Sequence, residues 1–371
     1  MSRHFFNRQV SAADPPEGDP RGFHRRLPGY EVSPVVDAAG IARRLGLGRV
    51  LVKHESSRLG LPSFKILGAS WGTFRALEEK IGGFGDWADV GDLGERLQGR
   101  FSLTAATDGN HGRAVARMAQ LLGLRASIFV PAGTAEARIE GITSEGATCE
   151  VVDGTYEDAV ARSAEDASDE CLVISDTSWE GYRDVPRWVI EGYSTIFNEL
   201  DEQLAEAPDV VFVQMGVGAL AAAARRHFGS RLLGRPTMVG VEPEHAACIL
   251  ASMEAGEIVT IPGPHDSIMA GLNCGTPSVV AWPHVSRGYD AYLAVGDERA
   301  EEGMRLFAAE GLVAGETGAA GLAGLLEVSG GELGDRVGLG AGSTVLLLCT
   351  EGATDPAAYE RIVGSPPGGV A

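Results

Sequence analysis

One lysine, two aspartates and a glycine turn are the residues of this chain whose types and settings could carry chemistry. Lys65 stands in Leu61-Pro62-Ser63-Phe64-Lys65-Ile66-Leu67-Gly68-Ala69-Ser70, after a turn marked by Gly60 and Pro62 and ahead of a helix-like run from Ile66 to Lys80. A lysine beside a helix start is ordinarily solvated. In an apolar, small-residue setting the ammonium is disfavoured, the pKa falls, and the amine becomes a nucleophile able to form a Schiff base. Ser-Phe-Lys alone is too short to decide between the two.

Thr107-Asp108-Gly109-Asn110-His111-Gly112 joins a strand-like run, Phe101 to Ala106, to a helix-like one, His111 to Gly123. The Thr107 hydroxyl, the Asn110 side chain and the bare N–H groups of a helix start make a cradle for a carboxylate. The plainer reading is an N-cap, with Asp108 or Asn110 capping and His111 in the first turn. Asp108 would repel a purely anionic ligand, so it suits one that also carries an ammonium, or a step that needs a base. Asp176 opens Asp176-Thr177-Ser178-Trp179-Glu180-Gly181-Tyr182, directly after the strand-like Cys171 to Ser175. Loops at the carboxyl ends of parallel strands share the edge where ligands bind, so the two acids can face one crevice. Capping the following helix is the competing role for Asp176.

Val210 to Ala221 reads as a strand, a glycine turn and a helix start, and Gly216-Val217-Gly218-Ala219-Leu220-Ala221 fits G-x-G-x-x-A. Backbone N–H groups of such a turn bind a phosphate without saying whose. Glu242, at the end of the next strand, stands near where a dinucleotide site places its ribose acid, so a nicotinamide-dependent oxidoreductase is one reading. A ligand-free βα turn is another. The dinucleotide reading is weakened by position, since that fingerprint usually opens its domain and this one lies deep in the chain. Gly338 to Gly342 precedes its strand, the wrong polarity for phosphate.

The elements that must position these residues alternate. Strand-like runs at Phe101–Ala106, Ala126–Val130, Cys149–Val152 and Cys171–Ser175 are separated by helix-length segments, and a helix is expected over Trp179–Asn198 with an early break at Pro186. Val210–Gln214, Thr237–Val241 and Thr344–Cys349 continue the strand pattern around a polar loop region at 259–288. The pattern predicts an α/β fold of two parallel-sheet, three-layer (αβα) domains, with strands linked by right-handed crossovers. The expected boundaries are a flexible lead-in over 1–27, a large domain from 28–65 plus 190–371, and a small inserted α/β domain over 66–189.

Composition excludes several functions. The 371 residues are 44% hydrophobic and 22% charged, ordinary for a globular chain, and the net charge of −20 argues against nucleic acid and anionic membrane surfaces. No window approaches the ~20 apolar residues of a membrane span, and the polar N-terminus lacks a signal core, so a cytoplasmic protein is expected. Five cysteines without metal-ligand spacing argue against zinc and for free thiols. Cys248 and Cys274, in loop-like sequence, could meet.

Taken together, these stretches resemble the fold-type II (tryptophan synthase β-like) pyridoxal-phosphate enzymes and, among them, the diaminopropionate ammonia-lyases. The matching runs are Glu55 to Ser70, Ala106 to Arg113, Asp176 to Tyr182, Gln214 to Ala219, Gly271 to Ser278, Gly315 to Ala319 and Thr350 to Pro356, in the family's order from about residue 28 to 365. The Phe-Lys and glycine motifs belong to the wider fold. Asp108 within Thr-Asp-Gly-Asn-His-Gly, and the Asp-Thr-x-Trp-Glu-Gly-Tyr run, are more specific to the ammonia-lyase; serine and threonine dehydratases typically carry serine at the place of Asp108.

By position, the resemblance implies pyridoxal 5′-phosphate on Lys65 as the internal aldimine, its phosphate on Gly216, Val217, Gly218 and Ala219, Asn110 against the ring hydroxyl, Phe64 near the ring and Thr350 beside the pyridine nitrogen. It implies Asp108 and Asp176 as alternative bases for the D- and L-isomers of a small amino-acid substrate, with Thr107 and His111 also lining that substrate. A homodimer is implied by the resemblance alone. Glu242 is followed by Ala246 and Cys248 where further oxygen ligands would be wanted, so no required metal is expected. A serine/threonine dehydratase or a β-replacement enzyme keeps the same cofactor and fold with another substrate.

Overall fold

The computed structural model describes residues 3–107, 109–230 and 235–368, and these fall into two compact units. The outer unit takes the described residues of Met1–Glu17, Val32–Ser57 and Ile196–Ala371; the inner unit takes Gly18–Glu31 and Arg58–Thr195. Lys65 therefore falls in the inner unit, on the other side of the boundary expected after residue 65. Local bonding explains the difference. Arg58 and Leu61 exchange backbone hydrogen bonds of 2.8 and 3.0 Å, the Arg58 guanidinium donates to Glu31 O at 2.9 Å, and Arg117 donates to Leu59 O at 3.3 Å.

In the outer unit the strands are β1 (His4–Phe6), β2 (Val35–Asp37) and β3 (Arg49–His54), with four later ones in the chain order β8 (Val210–Gln214), β9 (Thr237–Pro243), β10 (Ala291–Val295) and β11 (Thr344–Cys349). Between β3 and β8 the chain builds β4 (Ser102–Ala106), β5 (Arg125–Pro131), β6 (Thr148–Val152) and β7 (Cys171–Val173) of the inner unit. The outer sheet runs β1-β10-β9-β8-β11-β3-β2, parallel through its five central strands, with β1 and β2 antiparallel at the edges. The central strands read as continuous apolar runs because both sheet faces are covered, and every residue of β8 and β10 is buried. The helix Ala320–Val328 packs across β8 to β11, over a core that includes Phe212, Met304, Phe307 and Leu347. Cutting Leu347 to Ala in such a core costs about 2–5 kcal/mol.

The lead-in read as flexible carries structure at both ends. β1 pairs with β10, His4 opposite Leu293, and the helix Pro20–His24 belongs to the inner unit. There Phe23 packs on Trp71 and Phe74, and His24 Nε2 donates to Leu67 O at 2.9 Å while its Nδ1 accepts from the Thr195 hydroxyl at 2.8 Å.

The inner sheet, β6-β5-β4-β7, is wholly parallel. The helix Asn110–Leu121 packs on β4 and β5, and Tyr156–Glu165 packs on β4, β5 and β6. The helix Lys65–Ile81 crosses the first turns of Asp184–Gln203 at close range. A Cβ on Gly68 would stand 2.5 Å from the Tyr193 ring, and one on Gly192 would stand 2.4 Å from Leu67 O, so glycine at both positions sets the approach. The latter helix begins at Asp184, not Trp179. Pro186 lies in its first turn, where a proline without an N–H starts a helix rather than breaking it. Among the described residues no helix is long and apolar enough to cross a membrane.

Candidate active site

Lys65 is the first residue of its helix, which places the ammonium at a helix start and not among solvated side chains of a later turn. Its Nζ lies 2.6 Å from Asp176 Oδ2, with the two side chains 18% and 7% exposed. Phe64, buried and packed on Tyr193 at 4.7 Å, turns its ring toward the same amine, 5.6 Å from its centroid. Burial alone would raise the Asp176 carboxyl, but the Lys65 ammonium, then His111, outweigh it and hold the carboxyl at about 2. Asp176 is thus an ionised carboxylate set against the one amine the sequence singles out.

His111 is buried in the first turn of Asn110–Leu121, and its Nε2 donates to Ile174 O at 2.8 Å, two residues before Asp176. Thr107 is buried and its hydroxyl accepts from Gly109 N–H at 2.8 Å. Gly109, with φ of +144°, is the N-cap residue and brings no side-chain cap, so Asn110 is the first helical residue and not a cap. Capping is also excluded for Asp176, because the next helix starts at Asp184. Asp108 lies outside the described residues.

The phosphate-type turn follows β8 in the outer unit. Gly218 is the N-cap of the helix Ala219–Gly229, at φ of +99° and with no side-chain cap, so the first-turn N–H groups are left to a ligand or to water. A Cβ on Gly218 would meet Ala281, Ile249 and Val285 side chains at 3.3 Å; one on Gly216 would meet Cys274 Sγ and Gly271 O at 3.2 Å. Val217 is fixed through its carbonyl, which accepts from Ser278 N–H at 2.9 Å. Helix-start N–H groups without a side-chain cap, in an apolar frame, fit a phosphate held by backbone. Cys248 and Cys274 are buried near Gly216 without a disulfide, and burial, with Glu242 and Cys274 beside it, pushes the Cys248 thiol well up.

Glu242 has another task than holding a ribose. It is fully buried, and its two oxygens accept from Ile249 and Leu250 N–H at 2.7 and 2.8 Å, closing the start of the helix Cys248–Ala255. The oxidoreductase reading loses its acid.

Thr350, at the end of β11, is buried, and its hydroxyl accepts from Gln214 Nε2 at 3.0 Å. The same amide donates to Thr317 O at 3.1 Å and Leu348 O at 2.9 Å, and Glu351 holds Thr317 N–H at 3.1 Å. Gly315 and Gly318 allow that approach, since a Cβ on either would stand within 2.5 Å of the 351–352 backbone. Gln214 donates into the Thr350 hydroxyl, which in turn donates to Thr317 O at 3.5 Å, so a neutral hydroxyl is held at the end of β11. The Gln214 role escapes sequence reasoning: a polar residue ending a buried strand is its one signal.

Comparison with known proteins places these features in a family. Residues 27–351 match the family model described as pyridoxal-phosphate dependent enzyme. A diaminopropionate ammonia-lyase from Salmonella typhimurium is 36% identical, the alignment covering 92% of this chain and 90% of that protein. The crystal structure of a holo diaminopropionate ammonia lyase from Escherichia coli superposes with a TM-score of 0.91 at 31% identity, covering 98% of this chain and 96% of the other. The same enzyme in complex with an aminoacrylate-PLP azomethine reaction intermediate gives 0.89 at 32%, with 98% and 97% covered. The chain belongs to the pyridoxal-phosphate dependent enzyme family, in its diaminopropionate ammonia-lyase branch.

Proposed function

We propose that the chain is a pyridoxal-phosphate-dependent lyase that eliminates ammonia from 2,3-diaminopropionate. The observation that carries the reading is the 2.6 Å contact between Lys65 Nζ and an ionised Asp176 in a chain of this family. Lys65 would anchor the cofactor through its amine. The backbone of Gly216, Val217, Gly218 and Ala219 holds the phosphate, Asn110 meets the ring hydroxyl, Phe64 packs near the ring, and Thr350 faces the ring nitrogen with a neutral hydroxyl. The cofactor, when bound, supplies the electron sink for the pair left on Cα.

Asp176 takes the Cα proton of the L-isomer and Asp108 that of the D-isomer, with Thr107 and His111 lining the substrate. The Cα pair forms the new C=C bond as the Cβ–N bond breaks, and the β-ammonium leaves as ammonia. The released aminoacrylate takes up water to give pyruvate and a second ammonia. A substrate with an extra ammonium suits two acids.

The enzyme is proposed to work as a cytoplasmic homodimer. Five cysteines that form no disulfide among the described residues support a reducing compartment, and the resemblance supports the dimer. Light scattering on the purified protein should give twice the chain mass.

Purified protein should be yellow, and borohydride should bleach it by fixing the cofactor on Lys65; a colourless preparation that takes up no pyridoxal phosphate refutes the proposal. Lys65→Ala should abolish turnover. Asp176→Asn should spare the D-isomer and Asp108→Asn the L-isomer, whereas equal loss on both isomers in each variant contradicts the division of labour. Faster keto-acid release from serine than from either diaminopropionate isomer would make the enzyme a dehydratase.

A further inference from the structure

We infer that Tyr182 is a positioning residue that sets the Asp176 carboxylate, and through it the handling of one substrate isomer; the inference rests on the role proposed for Asp176. The ladder of β7 with β4 ends just before that acid. Ile174 N–H still bonds to Thr104 O at 2.8 Å, and Ile174 O receives His111, but the Ser175 amide has passed beyond the strand. Its partner is the Tyr182 hydroxyl, which accepts from Ser175 N–H at 3.1 Å and donates to Val173 O at 2.7 Å. One phenol therefore bridges the last residue of β7 and the residue immediately before Asp176. On the other side of Asp176, Thr177 N–H is held by the Ser175 hydroxyl at 3.2 Å.

The ring itself is locked. It stacks on Trp179, with centroids 4.2 Å apart and planes 16° from parallel, and the backbones of the two residues exchange hydrogen bonds of 3.3 and 3.1 Å. Gly181, at φ of +84°, closes the turn between them. The loop is thus a clasp that begins and ends on Tyr182, with Asp176 inside it and directed at Lys65. Burial drives the ionisation of the phenol far up, so it stays a neutral group with its donor and an acceptor site both committed.

Tyr182→Phe keeps the ring and removes both bonds. A buried N–H and C=O left without partners are costly, and moving the Ser175 peptide, and Asp176 with it, relieves that cost. A displacement near 1 Å at a reacting group can cost about a hundredfold in rate. The test is steady-state turnover of the Tyr182→Phe holoenzyme on D- and L-2,3-diaminopropionate, with hydrogen–deuterium exchange of the peptide spanning Val173 to Tyr182. The expected result is a kcat about ten- to a hundredfold lower on the L-isomer, KM and the D-isomer unchanged, and faster exchange confined to that peptide.

Equal loss on both isomers, or no loss, overturns the inference, because a merely structural tyrosine would not separate isomers. Asp176→Asn assayed in parallel separates the two levels: without isomer selectivity there, the reading of Asp176 fails first. Selectivity in Asp176→Asn without it in Tyr182→Phe sinks the present inference alone. Should Tyr182→Phe not fold, the wild-type Ser175 amide decides: protection from exchange supports the clasp, and rapid exchange refutes it.

Discussion

Burial alone would place the Asp176 carboxyl above its ordinary range, and it sits at about 2 because the Lys65 ammonium lies against it. The charge of the acid therefore depends on that amine. Removing the cation leaves a buried carboxylate with His111 as its main support, and burial then governs. Lys65→Met, in cofactor-free protein, is therefore expected to move Asp176 titration upward. Following the Asp176 carboxyl by carbon NMR through an acid titration checks this, and an unmoved midpoint refutes it. The sign for stability agrees: an acid lowered from 3.8 to about 2 adds stability above the unfolded value that is lost as pH falls. In the variant that loss should shrink.

At the scale of elements, the phosphate-type turn and the clasp differ in how far sequence reveals them. The turn after β8 was legible because Gly216 and Gly218 follow a continuous apolar run, and the structure shows the physical need for both. Gly218→Ala forces a side chain into φ of +99° and against three apolar neighbours, a cost of about 1–2 kcal/mol from the backbone alone. A lower urea midpoint together with weaker pyridoxal phosphate uptake is the expected outcome, and normal uptake would remove the turn from the cofactor site. The pairing of Lys65 with Asp176 was legible only as two residues at places where chemistry is possible, since their contact spans 111 positions of chain. β10 is hard to read in the sequence because Ala291–Val295 is a short apolar run with no periodicity, and Pro186 reads as a break although it lies in the first turn of Asp184–Gln203. His24 in the lead-in was invisible for another reason. Its two ring nitrogens are satisfied by Leu67 and Thr195, and nothing local in Pro20–His24 announces such partners.

For the whole molecule, two fully or nearly buried groups of the outer unit link stability to pH in opposite senses. Burial raises Glu242 from 4.5 to about 8, against the pull of the Ile249 and Leu250 N–H groups and Arg3. The folded state then holds the extra proton, and its contribution is lost as pH rises from about 4.5 toward 8. Burial lowers His227, stacked on Phe197, from 6.5 to about 4, so its contribution is lost as pH falls through that window. Between 4.5 and 6.5 the two slopes oppose each other; above 6.5 Glu242 acts alone of the pair. The net charge of −20 adds a repulsion of its own, which salt screens while leaving a buried carboxyl largely untouched. Urea unfolding at high salt should therefore show wild-type stability falling from pH 6.5 to 8, by up to ~1.4 kcal/mol per unit. Glu242→Gln keeps one acceptor for the helix start and cannot ionise, so it should be less stable at pH 6.5 but flat over the same range. A variant that loses stability with pH as steeply as the wild type would place the linked proton elsewhere than Glu242.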